Sequence, residues 1–179
     1  MGQAFNWENE PIFIEDANEC WQVRAQAEKE HLVELLASYH LVDIEHIGST
    51  AVPGLAAKPI IDLMAKVKDF NQIEPIINLL QKHNWIHVPT HEGEHEWRKY
   101  FIKIHKNKRM AHLHIVEGDS RKWDEHLFFR DALRSSPTLV SEYAALKKKL
   151  AEQYSHDREL YTKNKSAFIQ SVIKQGNES

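Results

Sequence analysis

Residues 41–67 read LVDIEHIGSTAVPGLAAKPIIDLMAKV, two apolar runs joined by a short segment punctuated by Pro53 and Gly54. The first run, 41–48, alternates apolar and polar residues with the period of a half-buried strand and ends on a glycine. The second, 59–67, is apolar almost throughout and reads as a mostly buried strand. Between them, 49–58 is a tight loop with room for one turn of helix. Two neighbouring strands joined in this way commit the chain to a sheet, and the remaining segments have to cover it.

Those segments alternate in type. Residues 11–14 (PIFI) read as a short edge strand with proline at its start, where a missing donor does least harm. Trp21, Ala25, Leu32, Leu35 and Leu36 recur at helical spacing within 16–38, with Asp16 or Asn18 as cap. A second amphipathic helix spans about 70–83, capped by Asp69. Residues 87–96 are polar and carry Pro89 and Gly93, which makes them a loop and makes His83, His87, His91 and His95 loop histidines. Strands at 97–104 and 109–116 face each other across the turn HKNK. From Ser120 the pattern is helical, with breaks at Ser136-Pro137 and near His156-Asp157, and the last five residues are expected to fray. The expectation is a single α+β domain over 1–179: a small mixed sheet, a leading helix and a helical C-terminal third.

Charge excludes some partners. With 23 Lys+Arg against 26 Asp+Glu, a net charge of −3 and a pI near 6.5, no global field favours nucleic acid or an acidic membrane. The most apolar stretch, 51–67, is broken by Lys58, Asp62 and Lys66, so no spanning helix is expected. One cysteine, Cys20, has no partner for a disulfide, and the first residues lack the basic and apolar regions of an export signal, so a reducing cytoplasm is expected.

The chemistry concentrates in 44–67. A strand ending in Gly48-Ser49-Thr50 exposes backbone N–H groups at a turn, a concavity suited to phosphate oxygens, with two hydroxyls able to donate. Asp62 lies thirteen residues after Ser49 on an apolar strand, where a carboxylate is costly unless it is paired or holds a cation. The plainer alternatives are a capped turn and an Asp satisfied by backbone amides. Lys58 and Arg98 are the basic residues best placed to meet an anion. Arg130 and Arg134 lie one turn apart on a helix, and for Arg134 anchoring is the simpler role. The run Lys147-Lys148-Lys149 and the pair Lys163, Lys165 read as solvated helix surface, and Tyr161 and Phe168 as core. No Walker, Rossmann, nucleophile-elbow or zincin motif is present.

HIGSTAVPGLAAKPIID (46–62), RKYFIK (98–103), HLHIVEG (112–118), FRDALRSSP (129–137) and the closing YAALKKKLAEQY and DRELYTKNKSAFI together resemble the GrpB-like proteins, a branch of the nucleotidyltransferase superfamily. The resemblance implies a nucleotidyltransferase-like fold in which the Gly-Ser turn holds a nucleotide triphosphate and strand carboxylates hold divalent magnesium or manganese. The superfamily pattern pairs such an Asp with an acid two residues on; here that place is Met64, a poor ligand for a hard cation. His112 and His114 share one strand face, and the resemblance brings that strand near Asp62. Asp62, His112 and His114 would suit a transition metal better than magnesium, with His46 a lesser candidate; alternatively the two histidines are a half-exposed polar face. The expected ligand is a nucleotide or another phosphorylated small molecule. The expected roles are metal-dependent nucleotidyl transfer at Asp62, a binding module whose carboxylates have decayed, or a metal-dependent hydrolase.

Overall fold

The computed structural model describes residues 11–89 and 95–177. Five strands, β1 (Leu41–Ile47), β2 (Ile61–Val67), β3 (Trp85–Val88), β4 (Lys99–His105) and β5 (Lys108–Glu117), form one mixed sheet in the order β1-β2-β5-β4-β3. β1 pairs antiparallel with β2, and β2 lies parallel to β5. β4 and β5 form the hairpin expected across HKNK, with Lys106 and Asn107 at positive φ in the turn.

Alternation along β2 sorts the sheet into two faces. Leu63, Ala65 and Val67 join Leu113, Ile115 and Phe101 in the main core. The helices α1 (Cys20–Leu36) and α2 (Ile73–Gln81) close over that face through Trp21, Leu32 and Leu36 and through Ile76 and Leu80. α1 begins where Asn18 Oδ1 accepts the Cys20 N–H at 2.9 Å, so Asn18 rather than Asp16 orders its first turn. The opposite face carries Asp62 and Met64.

The C-terminal third forms α3 (Arg121–Ser135), α4 (Pro137–Gln153) and α5 (Arg158–Asn177), broken as the sequence predicts; Pro137 opens α4, and the Ser136 hydroxyl accepts the Leu139 N–H. These helices pack on the β1–β2 connection through Val52 and Leu55, which meet Phe129, Leu133 and Tyr143. Three cations complete the attachment by donating to backbone carbonyls of β1 and the connection. Arg130 donates to His46 O at 3.1 Å, Arg134 to Ala51 O at 2.8 Å, and Lys147 to Ala56 O at 2.6 Å. Arg130 also pairs with Glu45 at 2.5 Å, so both arginines anchor α3.

The structure differs from expectation in several places. α2 begins at Ile73 with no side-chain cap, and Asp69 instead accepts the Asn71 N–H at 2.9 Å ahead of it. Residues 11–14 form no strand: Ile12 buries against Leu150 and Tyr161, Phe13 points outward, and an isolated bridge joins the following residue, Glu15, to Ala57. Of the segment 87–96 expected to be loop, the first two residues end β3, which pairs with β4 and places His87 opposite Phe101. Of the four histidines in that region, His91 lies outside the described residues, as do the last two residues expected to fray. Lys147 is 2% exposed rather than solvated. No helix among the described residues is long and apolar enough to cross a membrane.

Candidate functional site

Gly48 ends β1 at φ 70°, ψ −170°, a conformation close to glycine-only. A side chain there would also collide with Asp62, since a Cβ would stand 2.7 Å from Asp62 Oδ2. The β1–β2 register, which pairs Ile47 with Asp62, delivers the carboxylate to this turn. The acid and the turn after β1 therefore share one place, at the end of the sheet where the 3₁₀ turn Ser49–Ala51 starts.

The β2–β5 register places His112 beside Asp62 and His114 beside Met64. His112 Nδ1 lies 2.8 Å from Asp62 Oδ1. Burial works to raise the Asp62 pKa, but the His112 hydrogen bond and neighbouring positive charge outweigh it and hold the carboxyl well below its usual range. Burial also lowers the His112 pKa despite the bond and charge of Asp62, so the ring is neutral and its Nδ1–H donates. The other ring nitrogen, Nε2, is buried with no hydrogen-bond partner among the described residues. Asp62 keeps 29% of its side chain exposed and His112 13%, so the pair is reachable from solvent.

His114 is engaged elsewhere. Its Nδ1 meets the Arg98 guanidinium, and burial followed by that positive charge pushes its pKa well below 6.5, leaving Nδ1 as acceptor. Trp97 stacks parallel to it at 6.3 Å, Tyr100 lies at 5.1 Å, and Arg98 sits over both of those rings at 5.0 and 4.5 Å. Among the described residues no three His, Cys, Asp or Glu side chains are placed to hold one metal ion.

The hydroxyls of the turn divide in role. Thr50 is 1% exposed, donates to Ile60 O at 3.3 Å and receives His46 Nε2 at 3.0 Å. Its hydroxyl thus works inside the fold, and His46, its pKa lowered to about 4 chiefly by burial, is a neutral partner in that bond. Ser49 stays partly exposed and lies beside Tyr143 of α4.

Positive charge reaches this region from three elements. Lys58 on the connection and Lys165 on α5 both lie over the Tyr161 ring, at 5.1 and 5.4 Å. Lys147 on α4 lies over Tyr143 at 4.7 Å. Burial, then mutual repulsion, lowers Lys58 to about 7 and Lys147 to about 6, and burial lowers Lys165; Asp62 is the carboxylate opposing the shift in all three. Lys165, like Lys147, is therefore turned inward rather than solvated, and helical spacing is the signal that distinguishes both from their neighbours. Tyr143, Lys147, Leu150 and Ala151 form one helical stripe, as do Arg158, Tyr161, Lys165 and Phe168. The lysine run masked the first stripe. Two surface depressions, of about 320 Å³ beside Trp85 and about 530 Å³ between Arg24 and Lys103, lie away from this site.

The sheet, the Gly-Ser turn and the strand acid define a nucleotidyltransferase-like fold. The Cid1 poly(U) polymerase, solved bound to MgATP, is similar with a TM-score of 0.52 at 10% identity over 79% of this chain and 44% of that one, a likeness of fold. The family model described as GrpB protein matches residues 11–175, and the chain belongs to the GrpB family. The crystal structure of the conserved protein GrpB from Enterococcus faecalis is similar with a TM-score of 0.81 and 30% identity, over 91% of this chain and 96% of that one. Glutamate-rich protein GrpB of Alkalihalophilus pseudofirmus is 33% identical over 165 residues, 90% of this chain and 94% of that protein. UPF0157 protein YqkA of Bacillus subtilis is 36% identical over 155 residues; the match takes in 87% of this chain and only 44% of YqkA.

Proposed function

We propose that the chain binds a nucleotide or another phosphorylated small molecule, its phosphate resting between the Gly48-Ser49 turn and Lys58, Lys165 and Arg98. One observation carries this reading: Lys58 of the β1–β2 connection and Lys165 of α5 meet over the Tyr161 ring, with Lys147 of α4 over Tyr143, a set of amines whose protonation burial and mutual repulsion oppose and an anion would favour. The partly exposed Ser49 hydroxyl supplies a neutral donor at the same place. The fold shared with the Cid1 poly(U) polymerase supports a nucleotide among the phosphorylated ligands.

The residues do not suit the magnesium or manganese pair of metal-dependent nucleotidyl transfer. A hard cation wants several oxygen ligands. Among the described residues no group of three ligating side chains surrounds Asp62, its Oδ1 accepts from His112, and the next position on that strand face is Met64. A hydrolase built on Asp62, His112 and His114 meets the same difficulty, because Arg98 takes His114 Nδ1. The binding role is the one the donor set supports.

Calorimetric titration of the protein with ATP, GTP, CTP, UTP and inorganic tripolyphosphate tests the reading. Binding is expected for at least one of them, with about tenfold weaker affinity or worse in Lys165→Gln. No heat and no thermal shift from any probe would overturn it.

A further inference from the structure

We propose that the site takes its phosphoanion free of divalent metal, with Lys58 and Lys165, which meet over the Tyr161 ring, supplying the positive charge that a metal would otherwise bring. The inference rests on the anion-binding reading above and goes further, because it specifies the charge state of the ligand.

The strand geometry argues against a cation at Asp62. One oxygen of the carboxylate, Oδ1, accepts from His112 at 2.8 Å, and the other, Oδ2, lies beside the Gly48 backbone, where an added Cβ would stand 2.7 Å away. Two residues along the same face, Met64 is 0% exposed and packs with Ile47, Val116 and Trp123, so that position is filled by hydrocarbon rather than left open to water. Across from Met64, His114 is held by Arg98.

Charge adds to this. A divalent ion beside Asp62 would lie within the field of Lys58, Lys147, Lys165 and Arg98, all of which interact with that carboxylate. A phosphate chain placed there meets those same cations directly. Magnesium cancels about half of a triphosphate's charge before it arrives, so chelation competes with the lysines for the ligand.

Asp62 then has a role opposite to that of a metal ligand. It repels the incoming phosphate and holds His112, whereas in a metal-dependent site it would be indispensable for binding. Asp62→Asn separates the two cases, since the amide oxygen can still accept the His112 Nδ1–H while the negative charge is gone.

The test is titration with ATP and with tripolyphosphate at about pH 6.5, in chelator and in excess magnesium or manganese, for the native chain, Asp62→Asn and Lys165→Gln. Metal-free probes are expected to bind about tenfold tighter or more than their metal complexes, Asp62→Asn to match or exceed the native affinity, and Lys165→Gln to lose about tenfold. Binding that requires metal and vanishes in Asp62→Asn would overturn the inference while leaving the anion site in place. Failure of both probes in every buffer would remove the anion site itself and this inference with it.

Discussion

Gly48→Ala measures directly the proximity on which the site depends. The new Cβ would stand 2.7 Å from Asp62 Oδ2, 3.1 Å from its Cβ and 3.2 Å from its Cγ, and would do so at φ 70°. The backbone part of the cost is about 1–3 kcal/mol for a glycine-only conformation. Crowding against Asp62 adds roughly 1–3 kcal/mol, because the carboxylate is tied to His112 and cannot retreat without breaking that bond. The total is about 2–6 kcal/mol, and at about 2–4 °C per kcal/mol for a chain of this length the melting temperature falls by roughly 4–24 °C. Urea unfolding followed by tryptophan fluorescence gives the free energy. Combining the change with Asp62→Ala assigns its cause: the oxygen and Cγ contacts disappear, backbone strain remains, and the pair is expected to be less destabilising than the sum of the singles by about 1–2 kcal/mol. Additivity within about 0.5 kcal/mol would refute the close approach, and with it the shared site.

Two further perturbations address the surroundings. Met64→Asp introduces the acid spacing of the nucleotidyltransferase pattern, but position 64 is 0% exposed amid Ile47, Val116 and Trp123, so a loss of about 3–5 kcal/mol in urea unfolding is expected, with no gain in manganese affinity; a stable variant that binds manganese would show that the position opens to the site. Lys58 and Lys147 titrate near 7 and 6 in the folded chain against 10.5 when unfolded, so below 10.5 the unfolded state holds more protons and stability rises with pH between about 6 and 10. Urea midpoints at several pH values should show that rise in the native chain and a shallower one in Lys147→Met, and an unchanged slope would refute the assignment of a buried amine with a lowered pKa. For the same reason anion binding should take up protons, seen as a buffer-dependent heat.

How much of this was legible in the sequence depended on whether a signal was local. The β1 turn and the β2 acid were readable because strand period, glycine and an out-of-place carboxylate all fall within residues 41–67, and a two-residue period put His112 and His114 on one face. Which of those histidines meets Asp62 was not readable, since it depends on a parallel register set by the whole crossover between β2 and β5. β3 escaped notice because its four residues adjoin polar sequence and are stabilised by pairing with β4 rather than by a pattern of their own. Thr50 looked like a phosphate donor on composition; its partners, Ile60 O and His46, are fixed by the path of the chain after the turn.

The lysines teach a different lesson. A run such as Lys147-Lys148-Lys149 is read by its charge, yet a helix sorts its residues by angle, and only Lys147 shares the stripe of Tyr143, Leu150 and Ala151. Its burial beside the β1–β2 connection means that the helical third does more than cover the sheet. Arg130, Arg134 and Lys147 fasten that third to His46 O, Ala51 O and Ala56 O. With those anchors in place, α4 and α5 bring cations to a strand acid that β2 alone would present with only a methionine beside it. The apolar residue at 64 and the inward-facing lysines are thus one arrangement: packing fills the strand position two residues beyond Asp62 with hydrocarbon, and the helices deliver titratable amines to the β1–β2 connection.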